Sequence, residues 1–241
     1  MKSLNFKFSE AQAKQLIEHQ TQANDVMAGD WVHTDSKQLA YYRAAYIELS
    51  EALMEIGYKW WKKEEPDTKK VLFELVDALH FVISDHIRYF TKKHRDSDRA
   101  ASFLMNSFIN IYEPAVEHIG VYANKVSSIQ TSDLSLQDLC DQAIYSTIKE
   151  GRASINWLAV LFERLGISNN QVVYYYLAKN TLNKFRDANG QKEGTYIRKW
   201  NDKDDNTYLY AFVDSAIENQ TDINVDDIWN YLETSYETVK N

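Results

Sequence analysis

Two successive stretches of the chain repeat one arrangement, an apolar stripe at helical spacing with a pair of carboxylates set to one side of it. The stretches cover residues 38–56 and 68–92, and the pairs are Glu48 with Glu51 and Glu74 with Asp77. Residues three apart share one face of a helix, so each pair can converge on a common centre. The repeat therefore predicts two helices, each of which carries a pair of carboxylates on the same side of its apolar stripe.

Four carboxylates brought close together cannot all stay ionised without a counter-charge. Mg²⁺ supplies that charge, because it takes oxygen ligands and keeps coordination positions for substrate phosphates. The pairs therefore indicate a Mg²⁺-dependent enzyme acting on phosphates, for which we expect two or more ions per site and Mn²⁺ as a substitute. Di-iron helix bundles also use inward carboxylates, but they need Glu-x-x-His pairs, which neither acidic pair here completes.

Glycine and proline are scarce, with 7 glycines and 2 prolines among 241 residues. Strands are punctuated by turns that use these residues, so their scarcity favours long helices joined by short polar loops. An apolar fraction of 44% supplies ample material for a core. We therefore expect an all-α fold, a multi-helix bundle with the paired carboxylates as a metal-binding core, and a single domain over residues 1–241.

Composition also bears on location and partners. The N-terminus lacks the apolar run of a signal peptide, and no stretch approaches the roughly 18 apolar residues that span a bilayer, so we expect a soluble, cytoplasmic protein. The net charge of −8 argues against nucleic acid as a partner, because duplex binding needs a broad basic surface.

The single cysteine, Cys140, lies in an apolar-periodic setting, and we expect it to be buried and without a role. His86, His94 and His118 lack metal-ligand spacing and are expected to be structural or surface residues.

One segment is basic within this acidic chain. Between Lys179 and Lys199 six basic residues face two acidic ones. Gly190 and Gly194 lie in the same segment and allow a close backbone approach, while lysine and arginine supply phosphate contacts. The spacing matches neither a P-loop nor a dinucleotide-binding turn. We predict that residues 179–206 hold a polyphosphate.

Four segments together resemble one known family. They are QTQAND at 20–25, YRAAYIELSEALMEIGYKWWKK at 42–63, ELVDALHF at 74–81 and AKNTLNKFRDANGQKEGTYIRKWNDKDDN at 178–206. In their order and spacing they resemble the dimeric, all-α dUTPases, a branch of the all-α nucleotide pyrophosphatases. The paired acidic motifs are shared by that whole superfamily, whereas the last segment is typical of this branch. The resemblance spans nearly the whole chain.

The resemblance implies roles for individual residues. Residues 48–81 would form the metal-binding helices, with Mg²⁺ held by Glu48, Glu51, Glu74 and Asp77. The uracil would be contacted or flanked by Gln20, Asn24 and Trp61, and the deoxyribose by His80, Phe81 and Asn183. The phosphates would be contacted by Lys179, Arg186, Lys192, Tyr196 and Asn206. The resemblance also implies a homodimer from a bacterial or phage-encoded cytosolic source.

The implied activity is hydrolysis of dUTP and dUDP to dUMP, which limits uracil incorporation into DNA and supplies dUMP for thymidylate synthesis. Glu51 is our candidate general base, because a carboxylate inside the cluster can engage metal and water together. The family further implies that water attacks the β-phosphorus.

Two other interpretations stay open at this point. An amide such as Gln20 or Asn24 can pair with the O4 and N3–H edge of uracil, but the same amide reversed suits cytosine. A dCTP-directed or mixed dCTP/dUTP pyrophosphatase is therefore one alternative. The other is a non-catalytic helical interaction protein that binds a structural metal or no metal. Metal-dependent release of pyrophosphate distinguishes an enzyme from such an interaction protein.

Overall fold

The computed structural model describes residues 4–35, 38–63, 65–94, 96–124 and 129–240. The chain divides into two compact units, Met1–Asn169 and Asn170–Asn241, and each is described here by itself. The expectation of a single domain over the whole chain stays a prediction.

The first unit is built from helices. In chain order they are α1 (Glu10–Ala28), α2 (Tyr41–Glu55), α3 (Thr68–Lys93), α4 (Ser97–Ile109), α5 (Leu136–Glu150) and α6 (Ile155–Arg164), with single 3₁₀ turns at Gly120–Tyr122 and Thr131–Asp133. The long helix α3 is central, since α1, α2, α4 and α6 all pack against it. Its apolar stripe is buried as the periodicity predicted, with Leu75, Leu79 and Ile83 fully enclosed.

The ends of α1 follow from its sequence. The Ser9 hydroxyl accepts a hydrogen bond from the Gln12 backbone N–H at 3.2 Å, and the Ser9 N–H donates to Gln12 Oε1 at 2.9 Å. This reciprocal capping box satisfies backbone groups that a helix start leaves unpaired. Gly29, with a φ of 56°, ends the helix in a conformation that other residues adopt at a cost.

Helix α2 packs along α3 and so brings the two acidic stretches side by side. The periodicity predicted that α2 begins at residue 38, whereas in the structure it begins at Tyr41. Gln38 and Leu39 instead donate their backbone N–H groups to the Asp35 carbonyl, at 3.0 and 3.1 Å, in a separate turn. The Leu39 carbonyl then accepts a hydrogen bond from Arg88 Nη1 at 2.6 Å, which ties this turn to α3.

The middle helices carry no ligand cluster in their described residues, as the sequence indicated. Cys140 is buried on α5, as predicted, and burial raises the pKa of its thiol to about 12. His86 is buried on α3, where burial, aided by the charge of Arg152, lowers its pKa to about 4. A buried neutral imidazole is a structural residue, in agreement with the prediction.

The second unit contains α7 (Asn169–Ala188, nearly all of which lies in this unit), strands β1 (Lys199–Trp200) and β2 (Lys203–Asp204), and helices α8 (Asp205–Glu218) and α9 (Val225–Lys240). The strands pair antiparallel through a two-residue turn at Asn201 and Asp202, whose φ angles are 46° and 64°. Positive φ at both central positions is the conformation of a tight hairpin turn that asparagine and aspartate tolerate. No sequence pattern had predicted α8 or this hairpin.

The prediction of an all-α fold is confirmed, because the two-residue strands are the only sheet in the described part of the chain. Among the helices described, none is long and apolar enough to cross a membrane.

Candidate active site

Three of the four predicted metal ligands meet between α2 and α3. Each of Glu48, Glu74 and Asp77 offers a carboxylate oxygen, and these oxygens lie within 4.8 Å of one another. All three side chains are half-buried. Carboxylates this close repel one another unless a proton or a cation lies between them. The donors are all hard oxygens, and such a set suits Mg²⁺ better than it suits softer transition metals.

Glu51, the fourth predicted ligand and the candidate base, lies one turn along α2 from Glu48 and is exposed. It does not belong to the group of described carboxylates that converge. The i, i+3 spacing placed it on the correct side of α2, but its side chain reaches solvent rather than the shared centre.

A second group of predicted residues forms a buried hydrogen-bonded network between α1 and α3. Gln20 Nε2 donates to Asn24 Oδ1, and Asn24 Nδ2 donates to the Ser84 hydroxyl oxygen, each at 2.9 Å. The Ser84 hydroxyl donates to the His80 carbonyl, and His80 Nδ1 bonds Gln20 Oε1, again at 2.9 Å each. All four residues are buried. The structure thus brings Gln20, Asn24 and His80 together, as the resemblance implied.

The two predicted aromatic residues are less enclosed. Phe81 is half-buried on α3, beside the network. Trp61 lies in the loop after α2 with 57% of its surface exposed, and its ring meets Trp60 edge-on at a centroid distance of 5.7 Å. An exposed ring on a loop can stack on a planar ligand, although the described contacts of Trp61 are with Tyr58 and Trp60.

In the second unit, Arg186 is held by a carboxylate that the sequence analysis did not assign. Asp205 accepts two hydrogen bonds from the guanidinium, 2.8 Å from Nε and 2.6 Å from Nη2, and its side chain is wholly buried. Burial opposes the charge on Arg186, but the hydrogen bonds and charge of Asp205 outweigh that effect and raise its pKa. This bidentate geometry fixes the orientation of the guanidinium.

Asp205 also organises two further predicted residues. The Tyr196 hydroxyl donates to Asp205 Oδ2 at 2.8 Å, and burial together with this bond raises the Tyr196 pKa. The Asn206 backbone N–H donates to Asp205 Oδ1 at 2.8 Å. The Asn206 side chain donates through Nδ2 to Asp204, and its buried Oδ1 has no hydrogen-bond partner among the described residues. A phosphate oxygen accepts hydrogen bonds, so Asn206 would contact it through Nδ2 rather than through Oδ1.

The remaining predicted residues of this unit lie on α7 and the loop after it. Lys179, Asn183 and Arg186 share one face of α7, since their spacing is four and then three residues. Asn183 Oδ1 accepts a 3.3 Å hydrogen bond from Arg186 Nη1. Lys192 is exposed and pairs with Asp187 at 2.8 Å. Gly190 has a φ of 91°, a conformation that other residues rarely adopt, and a Cβ there would lie 2.0 Å from Thr195 Oγ1.

Sequence reasoning missed two residues of these groups, Ser84 and Asp205. The D-D-N run at the start of α8 was a signal for Asp205, because acidic residues are favoured in the first turn of a helix. Ser84 had no comparable signal. Helical spacing from His80 puts it on the same side of α3, but only the packing of α1 shows what it contacts.

Comparison with known proteins adds an independent observation. The family model described as dUTPase matches residues 12–191 of the 241-residue chain. This range contains both acidic pairs, the buried amide network and all of α7. A search of curated proteins found no match.

Proposed function

The chain belongs to the dUTPase family and is a dUTP diphosphatase, and from this premise we propose that it hydrolyses dUTP and dUDP to dUMP with Mg²⁺ held by Glu48, Glu74 and Asp77. The convergence of these three carboxylates is the observation that carries the proposal. The product would supply thymidylate synthesis, and the removal of dUTP would limit uracil incorporation into DNA in the cytoplasm. Family membership decides against a non-catalytic interaction protein.

The donor set fits a divalent cation. The three half-buried carboxylates place negative charges close together, and their oxygens are near enough to one another to coordinate one cation. When bound, Mg²⁺ supplies the positive charge that hydrolysis of a polyphosphate requires. We propose two or more ions per site, with Mn²⁺ as a substitute, because oxygen ligands also suit Mn²⁺.

Glu51 is proposed as the general base. Its exposed carboxylate lies one helical turn from Glu48, close to the ligand group yet outside it. A carboxylate in that position can accept a proton from an attacking water while Glu48 keeps its place in the group. In the proposed reaction the water attacks the β-phosphorus, Glu51 takes the proton, and the bond to the α-phosphate oxygen breaks to release dUMP.

Base recognition is assigned to Gln20 and Asn24, with Trp61 flanking the ring. The two amides are buried and hydrogen-bonded to each other, so they form a preorganised polar edge rather than two solvated side chains. His80 and Phe81 are assigned to the deoxyribose, since His80 joins the same network and Phe81 is adjacent on α3. Asn183, which the resemblance also places near the deoxyribose, completes this part of the proposal.

The phosphate contacts are assigned to the second unit. Arg186 is oriented by Asp205, and oriented guanidinium groups bind phosphate oxygens in a bidentate manner. Lys179, Lys192, Tyr196 and Asn206 complete the proposed phosphate contacts. Lys192 is exposed and forms a surface ion pair with Asp187.

A direct assay tests the proposal. Purified protein with dUTP and Mg²⁺ should release pyrophosphate and dUMP, and chelation of the metal with excess EDTA should reduce the rate at least a hundredfold, since metal ions contribute several kcal/mol to such reactions. Re-addition of Mg²⁺ should restore the rate. Parallel assays with dCTP and dTTP identify the preferred base. Hydrolysis that continues unchanged in EDTA would contradict the metal assignment.

We also propose that the protein is a homodimer, as the resemblance implies. Several apolar side chains of the middle helices are exposed in the single chain, including Phe103, Tyr145 and Ile148. A subunit interface would bury such residues. Sedimentation at micromolar concentration should give twice the 28.1 kDa of one chain, whereas a species of 28.1 kDa would count against the dimer.

A further inference from the structure

The network of Gln20, Asn24, His80 and Ser84 has a direction that one hydroxyl decides. The Ser84 hydroxyl lies 2.9 Å from the His80 carbonyl oxygen, four residues earlier in α3. A carbonyl oxygen can only accept, so in this bond the hydroxyl donates its single hydrogen to His80. Toward Asn24, also at 2.9 Å, the Ser84 oxygen can then only accept.

This requirement passes along the network one residue at a time. Because Ser84 accepts, Asn24 must turn its Nδ2 toward Ser84 and its Oδ1 toward Gln20. Gln20 must then present Nε2 to Asn24 and Oε1 to His80. His80 must therefore carry a hydrogen on Nδ1. A reversed Asn24 would draw the Ser84 hydrogen away from the His80 carbonyl, so the network would lose one hydrogen bond.

We propose that Ser84 is a positioning residue that sets the base preference of this enzyme by holding the Asn24 and Gln20 amides in one orientation. The inference rests on the proposed function, in which these two amides read the base. Ser84 itself is buried against Asn24 and the helix backbone, and it acts through the amides rather than on the substrate.

The orientation that Ser84 selects suits uracil. Asn24 Oδ1 and Gln20 Nε2 lie 2.9 Å apart and so present an acceptor beside a donor. Uracil offers the complement, an N3–H donor beside a carbonyl acceptor. Cytosine bound in the same pose as uracil offers N3 as an acceptor beside an amino donor, so each of its groups would face a like group. The same two amides reversed would favour cytosine, and the hydroxyl of Ser84 disfavours that reversal.

The test compares Ser84→Ala with the wild type in the kcat/KM ratio for dUTP over dCTP, at saturating Mg²⁺. Without the hydroxyl, Asn24 is free to reverse, so the ratio should fall by about tenfold or more, the usual effect of one misdirected hydrogen bond. Ser84→Thr retains a hydroxyl and should keep the ratio within about twofold. Thr147→Val is the matched control, because it removes another buried hydroxyl that donates to a carbonyl four residues earlier, at 2.8 Å on α5.

Asn24→Ala separates failure of this inference from failure of the proposed function. If Asn24→Ala lowers the ratio and Ser84→Ala leaves it unchanged, Ser84 does not set the orientation, and base reading by the amides still stands. If Ser84→Ala lowers kcat/KM equally for both nucleotides, its role is only structural and the inference is overturned. An unchanged ratio in Asn24→Ala overturns both the base-reading assignment and the inference that rests on it.

A measurement on the wild-type protein tests the direction without relying on any variant fold. In protein labelled with ¹⁵N-histidine, the imidazole of His80 should carry a hydrogen on Nδ1, the nitrogen that is less often protonated in neutral free histidine. Detection of the Nε2–H tautomer for His80 would show that Gln20 and Asn24 are oriented the other way, and it would overturn the proposal.

Discussion

Glu51→Gln should lower kcat for dUTP by about a hundredfold to ten-thousandfold, the range that a general base contributes. The substitution keeps the size of the side chain and removes its ability to accept the proton. Because Glu51 is exposed and outside the convergent carboxylates, the fold and the Mg²⁺ concentration for half-maximal rate should change little. Steady-state kinetics across a Mg²⁺ titration, with circular dichroism of the purified variant, measure both effects.

Two variants on the same helices distinguish loss of the general base from loss of a metal ligand and from a nonspecific effect of removing a carboxylate. Glu74→Gln removes a convergent carboxylate, so it should raise the Mg²⁺ requirement as well as lower the rate. Glu55→Gln is the matched control, one turn beyond Glu51 on α2, where the carboxylate forms a surface pair with Lys70 at 3.4 Å. It should keep activity within about twofold, because surface pairs contribute little. Activity of Glu51→Gln within a few-fold of wild type would refute its role as the base.

Arg186→Ala should lower both activity and stability, for two separate reasons. It removes a charge-assisted phosphate contact, which reduces kcat/KM for dUTP and dUDP by about ten- to a hundredfold without changing the base preference. It also leaves the wholly buried Asp205 without its guanidinium partner, and breaking a buried pair costs about 3–5 kcal/mol of unfolding free energy. The stability loss should lie toward the lower end, because Tyr196 still donates to Asp205. Nucleotide kinetics and urea denaturation measure the two effects.

The double variant Arg186→Met with Asp205→Asn separates these two effects. Removing both charges abolishes the unpaired buried carboxylate, so stability should return close to that of wild type, whereas the phosphate contact stays lost. Arg198→Ala is the control, since its pair with Asp204 at 2.9 Å is largely exposed and should contribute at most about 1 kcal/mol. If the double variant recovers activity together with stability, Arg186 is a structural residue and the phosphate contact lies elsewhere.

Lys192→Ala provides a further comparison in case Arg186→Ala does not fold. Lys192 is exposed and pairs with Asp187 at the surface, so its removal should leave stability unchanged. The expected reduction of kcat/KM for all nucleotides alike would then report on the phosphate contact alone.

Much of the helical framework was predictable because helix periodicity is a local property. The stripe containing Leu75, Leu79 and Ile83 predicted both the extent of α3 and its buried face, and the structure agrees to within one residue at the end of α3. The same logic placed the carboxylates of α2 and α3 on facing sides, because a stripe that must be buried fixes which side chains flank it. The short hairpin was missed, since β1 and β2 have only two residues each and offer no periodicity to detect.

What the sequence by itself determined is therefore the fold class, the two acidic helices and the family resemblance, all of which depend on residue type and spacing along the chain. Only the tertiary structure decided which carboxylates converge, since Glu51 has the same helical spacing as its partners yet reaches solvent. The pairing of Arg186 with Asp205 and the bond from Asn24 to Ser84 were likewise decided by packing. The physical reason is that hydrogen-bond direction and carboxylate distance depend on how separate segments pack together. The sequence around residues 24 and 84 does not indicate that these two side chains are in contact.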